Sequence, residues 1–125
     1  MYALCAARLY YAKGAFDIAL ESLQQAHFTE PLLQLSARTV ILKIFYETGA
    51  YDSLESQLSA LSKFIRRKKA LSYHRVNYKN MLYYLRQLLE LPPFDKMATN
   101  HLAQQIENCP NVAERAWLLK QLKKN

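Results

Sequence analysis

The strongest constraint on this chain is a stretch that occurs twice. Residues 10–26 read Tyr-Tyr-Ala-Lys-Gly-Ala-Phe-Asp-Ile-Ala-Leu-Glu-Ser-Leu-Gln-Gln-Ala, and residues 45–61 read Phe-Tyr-Glu-Thr-Gly-Ala-Tyr-Asp-Ser-Leu-Glu-Ser-Gln-Leu-Ser-Ala-Leu. Aligned on Gly14 and Gly49, the copies lie 35 residues apart. They share aromatic-x-x-x-Gly-Ala-aromatic-Asp, followed by aliphatic residues at matching places: Ala19 and Leu54, Leu23 and Leu58, Ala26 and Leu61. Each copy reads as a helix end, a glycine turn and a second helix. Such a unit recurring at this period is the sequence mark of a helical-repeat array. Glycine suits the left-handed backbone of a helix C-cap because it has no Cβ to clash. Asp17 and Asp52 fall in the first turn of the following helix, where the dipole favours a negative charge. Phe16 and Tyr51 are placed to wedge between the two helices, and Ala19 and Ala26 to let them approach closely.

These residues resemble the tetratricopeptide repeat. Ala7, Tyr10, Gly14, Phe16, Ala19, Leu23, Ala26 and Pro31 match the small, aromatic, glycine, alanine and proline places of that family. The second unit departs from it, with Leu42, Leu54 and Leu61 in place of small residues and no closing proline. The order of the pieces is also similar to the C-terminal repeat regions of larger proteins from Bacteroidetes-type bacteria: a glycine-turn repeat, a helix ending Phe64-Ile65-Arg66-Arg67-Lys68-Lys69, and a last helix with Ala113-Glu114-Arg115-Ala116-Trp117-Leu118-Leu119. The resemblance implies an all-α, right-handed helical-repeat solenoid of about seven antiparallel helices with a C-terminal capping helix. The expected units are 1–28, 29–69 and 70–108, with a closing helix at 110–125, all in one domain over 1–125 that belongs to a longer array.

Local signals place the elements. The first helix should begin at Met1 and is apolar nearly all round through Tyr2, Leu4, Cys5, Leu9, Tyr10 and Tyr11, so it should be buried on every side. That pattern points to preceding repeats or to self-association through this helix. The second helix is expected over 15–27. Thr29 is placed as the cap of a third helix, with Pro31 in its first turn. A fourth helix should run over 51–67, with Leu54, Leu58, Leu61, Phe64 and Ile65 inward. Ser72 is the expected cap of a long fifth helix to 91, stopped by Pro92-Pro93, which stand where the earlier units have glycine. A sixth helix is expected over 95–107. Asn111-Val112-Ala113-Glu114 has capping-box spacing ahead of an amphipathic last helix over 112–123.

Composition narrows the function. The chain has 125 residues, 51% hydrophobic and only two glycines, which favours a folded helical protein over a disordered one. No apolar run approaches the ~20 residues of a membrane span, and no basic leader precedes the first helix, so the expected address is the cytoplasm. Cys5 and Cys109 read as reduced, mostly buried thiols. His27, His74 and His101 lack ligand spacing, and no motif of a nucleophile, base or phosphate loop occurs. The expectation is therefore a non-enzyme without metal or cofactor.

With Lys+Arg 17 against Asp+Glu 10, the net charge of +7 favours an anionic partner. By the tetratricopeptide resemblance, the first helix of each unit lines a groove. The positions so placed are Arg8, Tyr11 and Ala12, then Thr39, Lys43 and Tyr46, then Lys79, Leu82 and Arg86. Arg8, Lys43 and Arg86 are equivalent, as are Tyr11 and Tyr46. Arginine forks to carboxylates and tyrosine supplies rigid amphipathic contact, so this ladder suits an extended, acidic protein segment. The carboxylate-clamp pattern of the family is absent, because Leu4, Arg8 and Val40 stand at its positions. The alternative is nucleic acid, held by Arg66, Arg67, Lys68, Lys69 and Arg75, with Lys79 and the tyrosines Tyr73, Tyr78, Tyr83 and Tyr84 interleaved as stacking surfaces.

Overall fold

Both repeated glycines take the backbone conformation that favours glycine. In the computed structural model, which describes residues 2–124, Gly14 has φ of 80° and Gly49 has φ of 75°. Around each, the same pair of hydrogen bonds closes the preceding helix. The Ala15 N–H donates to Tyr10 O at 2.8 Å and the Gly14 N–H to Tyr11 O at 3.0 Å; the Ala50 N–H donates to Phe45 O at 3.0 Å and the Gly49 N–H to Tyr46 O at 3.3 Å. This is the Schellman arrangement, which satisfies helix-end carbonyls while reversing the chain. The repeat in sequence is thus a repeat in local structure.

The described residues are helical, without a strand. In order they form α1 (Tyr2–Ala12), α2 (Phe16–Gln25), α3 (Pro31–Thr48), α4 (Tyr51–Arg67), a short 3-10 helix (Lys69–His74), α5 (Arg75–Glu90), α6 (Lys96–Asn108) and α7 (Arg115–Lys123). The expected start at Met1 lies outside the described residues. The helices form two compact units that divide after Ser72.

In the first unit α1 pairs with α2 and α3 with α4, and α3 also touches α1 and α2. Helix α3 is buried along two stripes. Ala37, Val40 and Ile44 join Leu4, Ala7, Ala19 and Leu23 in one cluster. Leu35, Thr39 and Leu42 are also buried, outside that cluster, and α3 packs on α4 as well. A helix apolar on two sides needs neighbours on two sides, and α3 has them. Helix α4 is one-sided: Leu54, Leu58, Leu61 and Ile65 are buried at helical spacing. Full burial of each such leucine contributes about 1.5–3 kcal/mol. The aliphatic places matched by the repeat are core in both copies, except Ala26, which is only half-buried.

The second unit packs α5, α6 and α7 on one another. Met81, Leu85, Leu88, Leu102, Ile106, Trp117, Leu118 and Leu122 are its buried apolar residues, with Leu82. Asp95 caps α6, its carboxylate accepting from the Ala98 N–H at 3.0 Å. The turn before it, Pro92 to Asp95, closes by the Asp95 N–H donating to Pro92 O at 3.4 Å and holds Phe94 at φ of 63°. A bulky side chain in that region costs about 1–3 kcal/mol.

Several local expectations are corrected. Helix α2 ends at Gln25, not at residue 27, and α3 is entered through Glu30 rather than capped by Thr29. Ser72 caps no α-helix: it lies in the 3-10 turn, its hydroxyl donating to Lys69 O at 2.6 Å, and α5 starts three residues later. Asn111 to Glu114 is not a capping box. Its backbone is drawn to α5 instead, the Ala113 N–H donating to Asn77 O at 3.0 Å and Asn80 Nδ2 to Asn111 O at 2.7 Å. Helix α7 then starts at Arg115, after Glu114 at φ of 59°. The Arg115 guanidinium donates to the Cys109 and Ile106 carbonyls, placing a cation at the negative end of α6. Tyr51 does not wedge between helices; it is 60% exposed, whereas Phe16 packs on Tyr11. Cys5 is exposed and Cys109 half-buried, so neither is a core thiol. Helix α1 is not covered on every side, because Tyr2 and Leu9 face outward.

A Cβ at Gly14 or Gly49 would meet nothing within 4 Å, so the whole penalty of a side chain there is backbone strain. Gly49→Ala is therefore expected to lower unfolding free energy by about 1–2 kcal/mol in urea titrations, and Gly49→Asn by less, because Asn tolerates this region. Equal losses for both variants would place the cost elsewhere.

Candidate functional site

The sequence points to two surfaces, one along the first helices of the repeats and one at the basic end of α4. On the first, Tyr11 is fixed from two sides. Its ring lies 5.5 Å from that of Phe16 at the start of α2, tilted by 33°. Its hydroxyl donates to Glu47 Oε2 on α3. The Lys43 Nζ, one turn earlier on α3, stands 5.8 Å from the Tyr11 ring centroid. A cation over an aromatic face gains from the ring quadrupole. Tyr11, Lys43 and Glu47 therefore link α1 to α3 in one half-buried cluster.

The equivalent tyrosine, Tyr46, is also half-buried. Burial pushes its phenol above the ordinary value, and Tyr51 and Glu47 add to the shift. Arg8 and Ala12 are exposed on α1. Lys79 and Arg86 are exposed on α5, in the second unit. Two expected lining residues are corrected. Thr39 is buried with its hydroxyl donating to Leu35 O at 2.8 Å, and Leu82 belongs to the core of the second unit. Glu47 is the member that residue matching missed. Its signal was its place one helical turn after Lys43, which puts both on one face of α3. It sets a carboxylate beside the expected cation ladder.

On the second surface, Arg66 and Arg67 in the last turn of α4 join Lys63 in lining a cleft of about 310 Å³. Lys63 was not among the expected residues, yet its spacing of three and four from the arginines places all three on one helix face. Lys68 turns toward the protein instead: its Nζ lies 6.0 Å from the Phe64 ring, over which the Arg38 guanidinium also lies at 4.6 Å. Lys69 is exposed at the start of the 3-10 helix. In the second unit Arg75 is half-buried, Tyr73 is 89% exposed and Tyr83 is 55% exposed, while Tyr78 and Tyr84 turn partly inward. The Tyr73, His74 and Tyr78 rings meet edge to face at 5.3 and 6.5 Å.

Among the described residues no group of three or more His, Cys, Asp or Glu side chains could hold a metal ion, and no helix is long and apolar enough to cross a membrane.

Tyr11→Phe keeps the ring contacts and removes only the donor to Glu47. It is expected to cost about 1–2 kcal/mol. In a double-mutant cycle with Glu47→Gln most of that loss should appear as coupling between the two positions; additive losses would separate the hydroxyl from the carboxylate.

Comparison of the chain with protein-family models, with curated proteins and with solved structures finds no match.

Proposed function

We propose that this chain is a non-catalytic protein–protein interaction scaffold of the cytoplasm, a right-handed, tetratricopeptide-like helical-repeat solenoid that holds a partner segment along the first helices of its units. The observation that carries this reading is the cluster of Tyr11, Lys43 and Glu47, which ties α1 to α3. A tyrosine held by a neighbouring ring and a carboxylate loses little freedom when a partner docks on it, so the partner bears most of the ordering cost. Arg8 stands exposed one turn from Tyr11 and supplies a fork for a carboxylate of the partner. Lys79 and Arg86 are the corresponding exposed cations of the second unit. Glu47 offsets one of these charges locally, which suits a segment of mixed sequence with acidic residues over a uniformly acidic one.

The cleft at the end of α4 favours a second reading. Three cations converge there without a carboxylate among the lining residues, which suits the phosphates of a single-stranded nucleic acid.

The two readings separate in one set of experiments. Charge reversal of Arg8, Lys43 and Arg86 should abolish capture of the partner from a nuclease-treated lysate, while reversal of Lys63, Arg66 and Arg67 leaves capture intact. Undiminished capture by the first variant would overturn the scaffold reading. If nucleic acid is the ligand, affinity for an oligothymidylate measured by fluorescence anisotropy should fall with salt at a logarithmic slope of about −0.7 for each phosphate neutralised. Reversing the three cleft cations should flatten that slope; a slope unchanged by the reversal would rule the cleft out.

A further inference from the structure

Among the exposed apolar residues, two groups bear on one another, one in each unit. On α1, Tyr2 is 88% and Leu9 55% exposed, with Cys5 exposed between them. Their spacing of three and four puts them on one stripe of the helix, away from the buried Leu4 and Ala7. The second group is at the turn before α6, where Phe94 is 89% and Met97 84% exposed.

Phe94 is costly where it stands. Its φ of 63° and the bond from the Asp95 N–H to Pro92 O define a turn with proline at its second position and Phe94 at its third. That third position is the one glycine serves without strain. Phe94 therefore takes up backbone strain and gains almost no burial within the chain. Strain without an internal return points to a use outside the molecule. The turn is also stiff: two prolines precede Phe94, and the Asp95 carboxylate is tied to the Ala98 N–H. It presents the ring in one place.

We propose that the chain assembles head to tail with copies of itself, the Phe94–Met97 tip of one copy seating on the Tyr2, Cys5, Leu9 stripe of the next. Charge selects the second copy as the occupant. The stripe is bordered by the exposed cations Arg8 and Lys13, with no acidic residue among residues 2–14. Among residues 90–97 the exposed charges are the carboxylates of Glu90 and Asp95 and the cation of Lys96, a net negative charge. Tip against stripe pairs opposite charges, whereas stripe against stripe or tip against tip sets like charges together. A contact between two different surfaces leaves one of each free, so assembly continues until the chain ends or closes into a ring.

Sedimentation velocity and light scattering of the full chain, from micromolar to near-millimolar concentration, test this. Wild type should rise with concentration past the mass of a dimer. Phe94→Gly should remain at the 14.6 kDa chain mass and melt at a higher temperature than wild type, a gain that a misfolded variant cannot show. Leu9→Glu, at an exposed position, should also remain at the chain mass with an unchanged melting temperature. Mixing the two variants should produce a species of twice the chain mass and nothing larger, because each retains the surface the other lacks. A wild type that stays at 14.6 kDa leaves the tip to a foreign protein or a lipid surface and overturns the proposal. Association that survives Phe94→Gly, or a mixture that stays at the chain mass, overturns it as well, the latter in favour of pairing between two α1 stripes.

Discussion

The first unit depends on one backbone event performed twice: a residue in the left-handed region at the end of a helix. At Gly14 and Gly49 it turns the next N–H groups back onto the last helical carbonyls, satisfying them as the chain reverses. Only then do Ala19 and Leu23 face Leu4 and Ala7, and Leu54 and Leu58 face α3. Helices as short as α1 and α2 are marginal singly, and most of the stability of all four comes from the faces these turns bring together. The turn before α6 makes the same kind of reversal without glycine, and there the strain falls on Phe94.

The Tyr11 cluster grows out of the same geometry. Tyr11 lies in the last turn of α1, so its carbonyl accepts the Gly14 N–H while its ring meets Phe16 beyond the turn. Its hydroxyl reaches Glu47, near the end of α3. One residue thus joins a turn, a helix pair and the contact between α1 and α3. That coupling explains why the surface is already ordered: the groups that fix it also hold the helices. The cleft cations are organised more simply, by helical spacing on α4 and by the favourable placement of Arg66 and Arg67 at its negative end.

Legibility from sequence followed the range of the interactions. The helix-turn-helix units of the first half, the inward face of α4 and the left-handed glycines were all readable, because each rests on contacts within a few residues. The caps assigned to Ser72 and to Asn111–Glu114 were misread for the opposite reason. Ser72 bonds within a 3-10 turn, and the backbone at 111–113 is held by Asn77 and Asn80 some thirty residues earlier. Local spacing carries no trace of those partners. Thr39 and Leu82 were placed in a groove by matching repeats, yet both lie in cores, because a helix with neighbours on two sides buries positions that a one-sided helix exposes.

By itself, the sequence determined the helical class, the 35-residue repeat and the places where the chain must reverse, since these follow from helical periodicity and from what glycine and proline permit. Only the tertiary structure decided which apolar residues remain uncovered. It left Tyr2, Leu9, Phe94 and Met97 outside while burying Leu35, Leu42 and Ile44. It also decided which charges work inward, turning Lys43 onto Tyr11 and Lys68 onto Phe64 while Lys63, Arg66 and Arg67 line a cleft. Burial is a property of what packs against a residue, and that neighbour is set by the fold and not by the residue's own type.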